Sequence, residues 1–109
     1  MRSVARFSRE KGKRGERDFR DLLRKHGWGA ERDGSKDGDL KGELPAGFRF
    51  EVKFCEQLKI PVWVKQANDD AQPGEIPVVA FRRSKINGDI LGDWHIIEPA
   101  ESWLARLRV

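Results

Sequence analysis

The stretch that decides the fold is Phe48-Arg49-Phe50-Glu51-Val52-Lys53-Phe54-Cys55. Apolar residues at 48, 50, 52 and 54 alternate with Arg49, Glu51, Lys53 and Cys55, the period of a β-strand with one packed face and one chemically active face. Downstream, Pro61 opens a helix whose one side carries Trp63, Gln66, Ala67, Asp70 and Ala71 and which ends near Pro73-Gly74. The unbroken apolar run from Ile76 to Phe81 then reads as a central strand covered on both faces. Strand, helix and strand in that order predict a parallel crossover unit.

Working outward, Asn87-Gly88 signals a hairpin into a strand over 94–97 whose partner the sequence leaves open, and a last helix starts around Pro99 with Ala100, Trp103, Leu104 and Leu107 at helical spacing. Upstream, Phe19, Leu22 and Leu23 define an amphipathic helix from about Gly12 to His26. Trp28 to Arg32 and Asp39 to Lys41 read as short extended stretches around the polar loop 33–38. Asp39 is expected to approach Glu51 through pairing of its stretch with the 48–55 strand, by way of the Glu43 to Gly47 turn. The whole alternation predicts an α/β class, a mixed sheet flanked by helices.

The chain has 109 residues, 38% of them hydrophobic and 37% charged, with a formal net charge of +4. That size supports one domain, 1–109, with one core under an ionic surface. Residues 1–25 hold ten Lys/Arg against four Asp/Glu, and the remainder twelve against fourteen, so all the net basicity lies at the N-terminus, with about 1–11 read as a basic leading segment. Such a segment attracts polyanions. No apolar run approaches the roughly 18 residues of a membrane span, which predicts a soluble, intracellular (cytoplasmic) protein with no membrane partner. One cysteine, Cys55, and two separate histidines exclude an internal disulfide and a His/Cys zinc centre, so any metal is held by oxygen.

Glu51 and Lys53 project from the same face of their strand. Glu16 lies three residues before Phe19 and seven before Leu23, which aims a carboxylate at the core side of the first helix, with Gly12 and Gly15 leaving room for a close approach. With Asp39 added, two carboxylates and a strand carbonyl such as that of Val52 make a hard oxygen site for Mg²⁺, with Mn²⁺ as a substitute, and Glu16 an extra ligand. A lysine beside such a site suits phosphodiester hydrolysis, where an anionic phosphate resists attack by water. Lys11, Lys13, Arg14, Arg32, Ser35, Lys36, Arg49, Arg82 and Arg83 are candidate DNA contacts. Asp33, Ser35, Asp37 and Gly38 imitate the start of an EF-hand loop, but Leu44 stands where the bidentate carboxylate belongs.

Lys11-Gly12-Lys13-Arg14-Gly15-Glu16-Arg17, Arg32-Asp33-Gly34-Ser35, Gly38-Asp39-Leu40 and Phe50-Glu51-Val52-Lys53, in this order, resemble the PD-(D/E)XK nuclease superfamily, in particular small archaeal-type and phage Holliday junction resolvases. The similarity runs over residues 10–83. It implies a restriction endonuclease-like fold, a magnesium-dependent endonuclease for DNA recombination, and a homodimer presenting two active sites to branched DNA. It assigns Asp39, Glu51 and Lys53 to catalysis, Glu16 to the helix glutamate and Ser35 to the loop serine. Trp63 to Ala71 followed by Ile76 to Arg82 also looks like phage members, placing Gln66 on the helix face beside the catalytic strand. Gly38 stands where the nominal motif has proline, and Asp37 competes with Asp39 for the ligand role; the apolar Leu40, as expected at a strand start, favours Asp39. The alternatives are a general or nicking restriction-like nuclease on double-stranded DNA, and a non-catalytic DNA-binding module.

Overall fold

A computed structural model of the chain describes residues 4–33, 40–45, 47–85 and 89–108, with side chains from residue 10 onward. It is an α/β fold: α1 (Val4–Lys25), β1 (Ala30–Arg32), β2 (Leu40–Gly42), β3 (Phe48–Cys55), α2 (Ile60–Asp70), β4 (Ile76–Ser84), β5 (Ile90–Ile97) and α3 (Ala100–Leu107). β3 and β4 pair in parallel from Phe48↔Ile76 to Cys55↔Arg83, joined by the α2 crossover, and β5 pairs antiparallel on the other side of β4. The order β3-β4-β5 makes the apolar 76–81 run the central strand, and Val78, Val79 and Ala80 are buried. The partner of the 94–97 strand is β4; Asn87 and Gly88 lie outside the described residues.

The alternation of β3 sorts two cores. Phe50 and Val52 join Phe19 and Leu23 of α1, with Ala30, Leu40, Val78 and Ala80, on one face. On the other face Cys55 and Phe81 pack against Trp63, Ala67 and Val79. The first helix begins eight residues earlier than its apolar spacing predicts, so most of the basic leading segment is helical rather than a separate leader. The segment 4–11 holds only Val4, Ala5 and Phe7 as apolar residues among charged ones, too few for periodicity to extend the helix to its start.

Gly15 is the contact point between α1 and β3: a Cβ there would lie 2.7 Å from Cβ of Phe54. The helix therefore approaches the strand as closely as only a glycine permits.

The expected pairing of the 39–41 stretch with β3 is not what forms. β2 pairs with β1, antiparallel, in a separate two-stranded sheet with Ala30 opposite Gly42. The turn that would fold β2 onto β3 instead bends back: Gly42 takes φ +89°, and the Glu43 amide donates to the Gly29 carbonyl at 2.9 Å. A Cβ on Gly42 would sit 2.5 Å from that carbonyl oxygen. Positive φ costs a non-glycine residue about 1–3 kcal/mol and the collision adds to it, so Gly42→Ala is expected to destabilise the protein by about 2–4 kcal/mol, read by thermal or urea unfolding.

α3 is held by a polar staple instead of a buried face. Arg106 forms a bidentate ion pair with Glu98, whose Oε2 also accepts from Ser102 Oγ at 2.6 Å, and the guanidinium lies 4.9 Å from the centre of the Phe48 ring. The hydrogen bond from Arg106 holds the Glu98 carboxyl below the usual glutamate range. A depressed folded-state value means the pair stabilises the fold above the ordinary glutamate range and loses that contribution as pH falls through the folded value. Acidification below that range is expected to release α3 before the sheet unfolds, seen as a Trp fluorescence change that Glu98→Gln removes. Among the described residues no helix is long and apolar enough to cross a membrane.

Candidate active site

A cleft of about 480 Å³ wraps the outer edge of β3 and is lined from both faces of the sheet. From the α1 side come Lys11, Gly12, Glu16, Val52 and Phe54, and from the α2 side Lys53, Cys55 and Gln66, with Gln57 and Lys59 at the mouth. β3 ends the three-stranded sheet, so its outer edge is free of a ladder partner among the described residues and both of its faces are reachable from one opening.

Lys53 Nζ donates to Gln66 Oε1 at 2.7 Å, which fixes the ammonium across the strand–helix junction. The bond follows from register: Lys53 sits on the α2 face of β3, and Gln66 is one turn beyond Val62 on the exposed side of α2. Glu51 lies on that same face two residues earlier. It is 1% exposed, one of the largest fully enclosed side chains among the described residues, and does not itself line the cleft.

Glu16 is the counterpart from the α1 side. It is 2% exposed and reaches the cleft wall, and its Oε1 accepts from Arg32 Nε at 3.1 Å. The inward carboxylate expected on this helix is therefore present, and it approaches β3 because Gly15 brings the helix so near. Enclosing a carboxylate costs several kcal/mol unless charge and hydrogen bonds compensate it, and Arg32 supplies both here. Arg32 is thus tied to the acidic wall of the cleft.

The remaining predicted contacts divide. Lys11 Nζ lies 3.7 Å from Glu56 Oε1 and 5.6 Å from the centre of the Phe54 ring, and Arg14 stacks at 5.4 Å over the other reach of that ring. Lys13 and Arg14 form exposed pairs with Glu10 and Asp18 at 3.8 Å. Exposed pairs are worth only about 0–1 kcal/mol, so these pairings hold the cations weakly. The side chain of Arg49 is 18% exposed and paired with Glu75 at 3.7 Å, which ties β3 to the end of the crossover. Arg82 Nε donates to the Gly92 carbonyl at 3.0 Å, bracing β4 against β5. Ser35, Lys36, Asp37, Gly38 and Asp39 lie outside the described residues, although β2 begins at Leu40, the next residue after Asp39.

Sequence reasoning missed Lys59 and Glu56. Both sit in the polar connection between Cys55 and Pro61, which reads as an ordinary loop until the crossover folds it over the cleft mouth. Among the described residues no three His, Cys, Asp or Glu side chains cluster tightly enough to hold an ion. Beside the one thiol of Cys55, the carboxylates that line or underlie the cleft, Glu16, Glu56 and the enclosed Glu51, are hard oxygen donors, the class that fits Mg²⁺ or Mn²⁺. Comparison of the chain with protein-family models, with curated proteins and with solved structures gives no match.

Proposed function

We propose that the protein is a metal-dependent DNA endonuclease, selective for branched DNA in the manner of a Holliday junction resolvase. The observation that carries this reading is the meeting, at one sheet edge, of Lys53 from the Glu-X-Lys strand with the enclosed Glu16 of α1 and with Gln66 of α2. A binding module gains nothing from carboxylates placed where phosphates approach. A hydrolase needs them.

In this reading Asp39, Glu51 and the Val52 carbonyl would hold Mg²⁺, with Glu16 as an additional ligand, and a metal held there would supply an acidified water and positive charge toward the phosphoryl oxygens. The chain's own residues do the rest. Lys53 contacts a phosphate oxygen and orients the attacking water, and Gln66 holds the ammonium in place through its amide oxygen. Lys11, Lys13 and Arg14 on α1 track the DNA backbone on its approach to the cleft, while Arg32 holds the Glu16 carboxylate in place through its 3.1 Å ion pair. Symmetric cuts across a four-way junction require two such sites, hence two copies of the chain.

The test is incubation of the purified protein with a labelled four-way junction and a matching linear duplex, with Mg²⁺ and with chelator. Chelator-sensitive paired nicks on the junction alone are the expected result. Equal cutting of both substrates selects a general nuclease, and binding with no cutting under any divalent ion selects a non-catalytic module.

A further inference from the structure

At the mouth of the β3 cleft, Leu58 is 47% exposed and Val62 62%, with Ile60 between them at 38%. The other exposed large apolar side chains among the described residues belong to β5 and α3. Single exposed aliphatic residues are ordinary on a protein surface, but these interrupt the polar lining of a cleft. Leu58 stands between Gln57 and Lys59, both of which line it, and Val62 precedes Gln66, another lining residue, by one turn of α2. The amide of Gln66 in turn accepts from Lys53 at 2.7 Å.

The segment that carries them is pinned at both ends. Before Leu58, Arg83 Nε of β4 donates to the Glu56 carbonyl at 2.9 Å, and Glu56 Oε1 lies 3.7 Å from Lys11 Nζ of α1. After it, Pro61 sits in the first turn of α2, the Trp63 amide donates to the Lys59 carbonyl at 3.0 Å, and the Trp63 side chain is buried in the second core. Leu58 and Val62 are therefore held out to solvent on an anchored connection instead of being folded under it.

We propose that Leu58 and Val62 seat against the uncovered face of a base pair at a DNA branch point and so select branched DNA over a linear duplex, a determinant that rests on the nuclease reading of the same cleft. In a continuous duplex each base pair is covered on both faces by its neighbours, and a protein meets phosphate, sugar and polar base edges, where an exposed leucine or valine finds little to cover. Where strands exchange, stacking is interrupted and a flat, weakly hydrated base face is open. Burying it against aliphatic side chains removes apolar surface of both partners from water, the contact that apolar side chains make when they enter a base step. Lys59 at the mouth, with Lys11 and Lys53 in the lining, supplies cations for the phosphates on either side of such a step. Apolar tips set among cations match a nucleic acid, whose bases and phosphates alternate in the same way, better than an apolar protein face.

Equilibrium binding of the full chain to a labelled four-way junction and to a linear duplex of matching sequence, in chelator so that neither is cut, tests it. The wild type is expected to prefer the junction. The double variant Leu58→Ser/Val62→Ala is expected to weaken junction binding by about tenfold or more while duplex binding stays within about twofold, with unchanged far-UV circular dichroism because both side chains are exposed. Leu58→Met/Val62→Ile, which keeps the apolar tips, is expected to retain the preference, and Lys59→Ala to weaken both substrates alike, as a phosphate contact does. A double variant that keeps the junction preference, or that loses both substrates equally, overturns the proposal, and so does a wild type without preference. Cleavage is scored separately with Mg²⁺: a junction preference that the double variant abolishes in a protein that cuts nothing leaves this contact standing and removes the nuclease reading, whereas Mg²⁺-dependent cutting with an unaltered preference in the double variant does the reverse.

Discussion

Lys53→Ala is expected to cut the rate of strand cleavage by about 10²–10⁴-fold while the affinity for a four-way junction stays within a few-fold of the wild type. Lys53 is one cation among several on the approach to the cleft, so its share of ground-state binding would be small; in the proposed reaction its hydrogen bond to Gln66 would fix it where charge develops in the transition state. Glu51→Gln is expected to lose a similar factor without a change in shape, because the amide is isosteric but carries no charge for a divalent ion. Gln66→Ala, which frees the ammonium without deleting it, is expected to lose only about tenfold. Single-turnover cleavage and a gel-shift assay on the same preparations check all three. Loss of binding in parallel with cleavage, together with a lowered melting temperature, is the outcome that contradicts a catalytic role.

The second large effect concerns the joint between α1 and β3. Gly15→Ala is expected to destabilise the protein although alanine favours a helix by about 1 kcal/mol. The new methyl carbon would lie 2.7 Å from Phe54 Cβ, on a side chain that is 5% exposed and anchored in a paired strand, so helix and strand must separate. Overpacking of this kind costs about 1–3 kcal/mol, and after the helix gain the net loss is about 0–2 kcal/mol, with a drop of about 4–8 °C in Tm for each kcal/mol in a domain of this size. Gly12→Ala is the control. Nothing lies within 4 Å of a Cβ at that position, so the helix gain is unopposed and Tm rises. Opposite signs for the same substitution three residues apart would separate packing from propensity in a single experiment. Gly15→Ala should also impair cleavage beyond its stability cost, since it moves Glu16 away from the strand edge.

What could be read from the sequence was the part governed by short periods. The alternation in 48–55, the apolar run at 76–81 and the proline-led helix between them determine β3, α2 and β4 locally, and the parallel pairing follows from their order. The same periodicity placed Glu51 with Lys53 and aimed Glu16 inward, so the acidic and basic sides of the cleft were legible. The pairing of β2 was not. A three-residue strand has too little pattern to choose a partner, and the choice was made by the positive φ of Gly42 and one bond to Gly29, both long-range outcomes of a turn. The partners of Arg32 and Arg49 were not legible for a related reason: a cation in sequence looks alike whether it meets solvent or a carboxylate, and only the fold reveals Glu16 and Glu75 beside them.

β5 closes the sheet on the side away from the cleft, and nearly all of its residues are exposed. An outermost strand of eight residues is a template for lateral addition of further strands, the route to fibrils. Two irregularities counter it: the ladder slips register between Phe81 and Arg83, and Gly92 takes φ +80° within β5 itself. Each breaks the even row of amide donors and acceptors that a stacking neighbour would need. The bend at Gly92, whose carbonyl accepts from Arg82 at 3.0 Å, is thus expected to disfavour strand addition along this margin of the molecule.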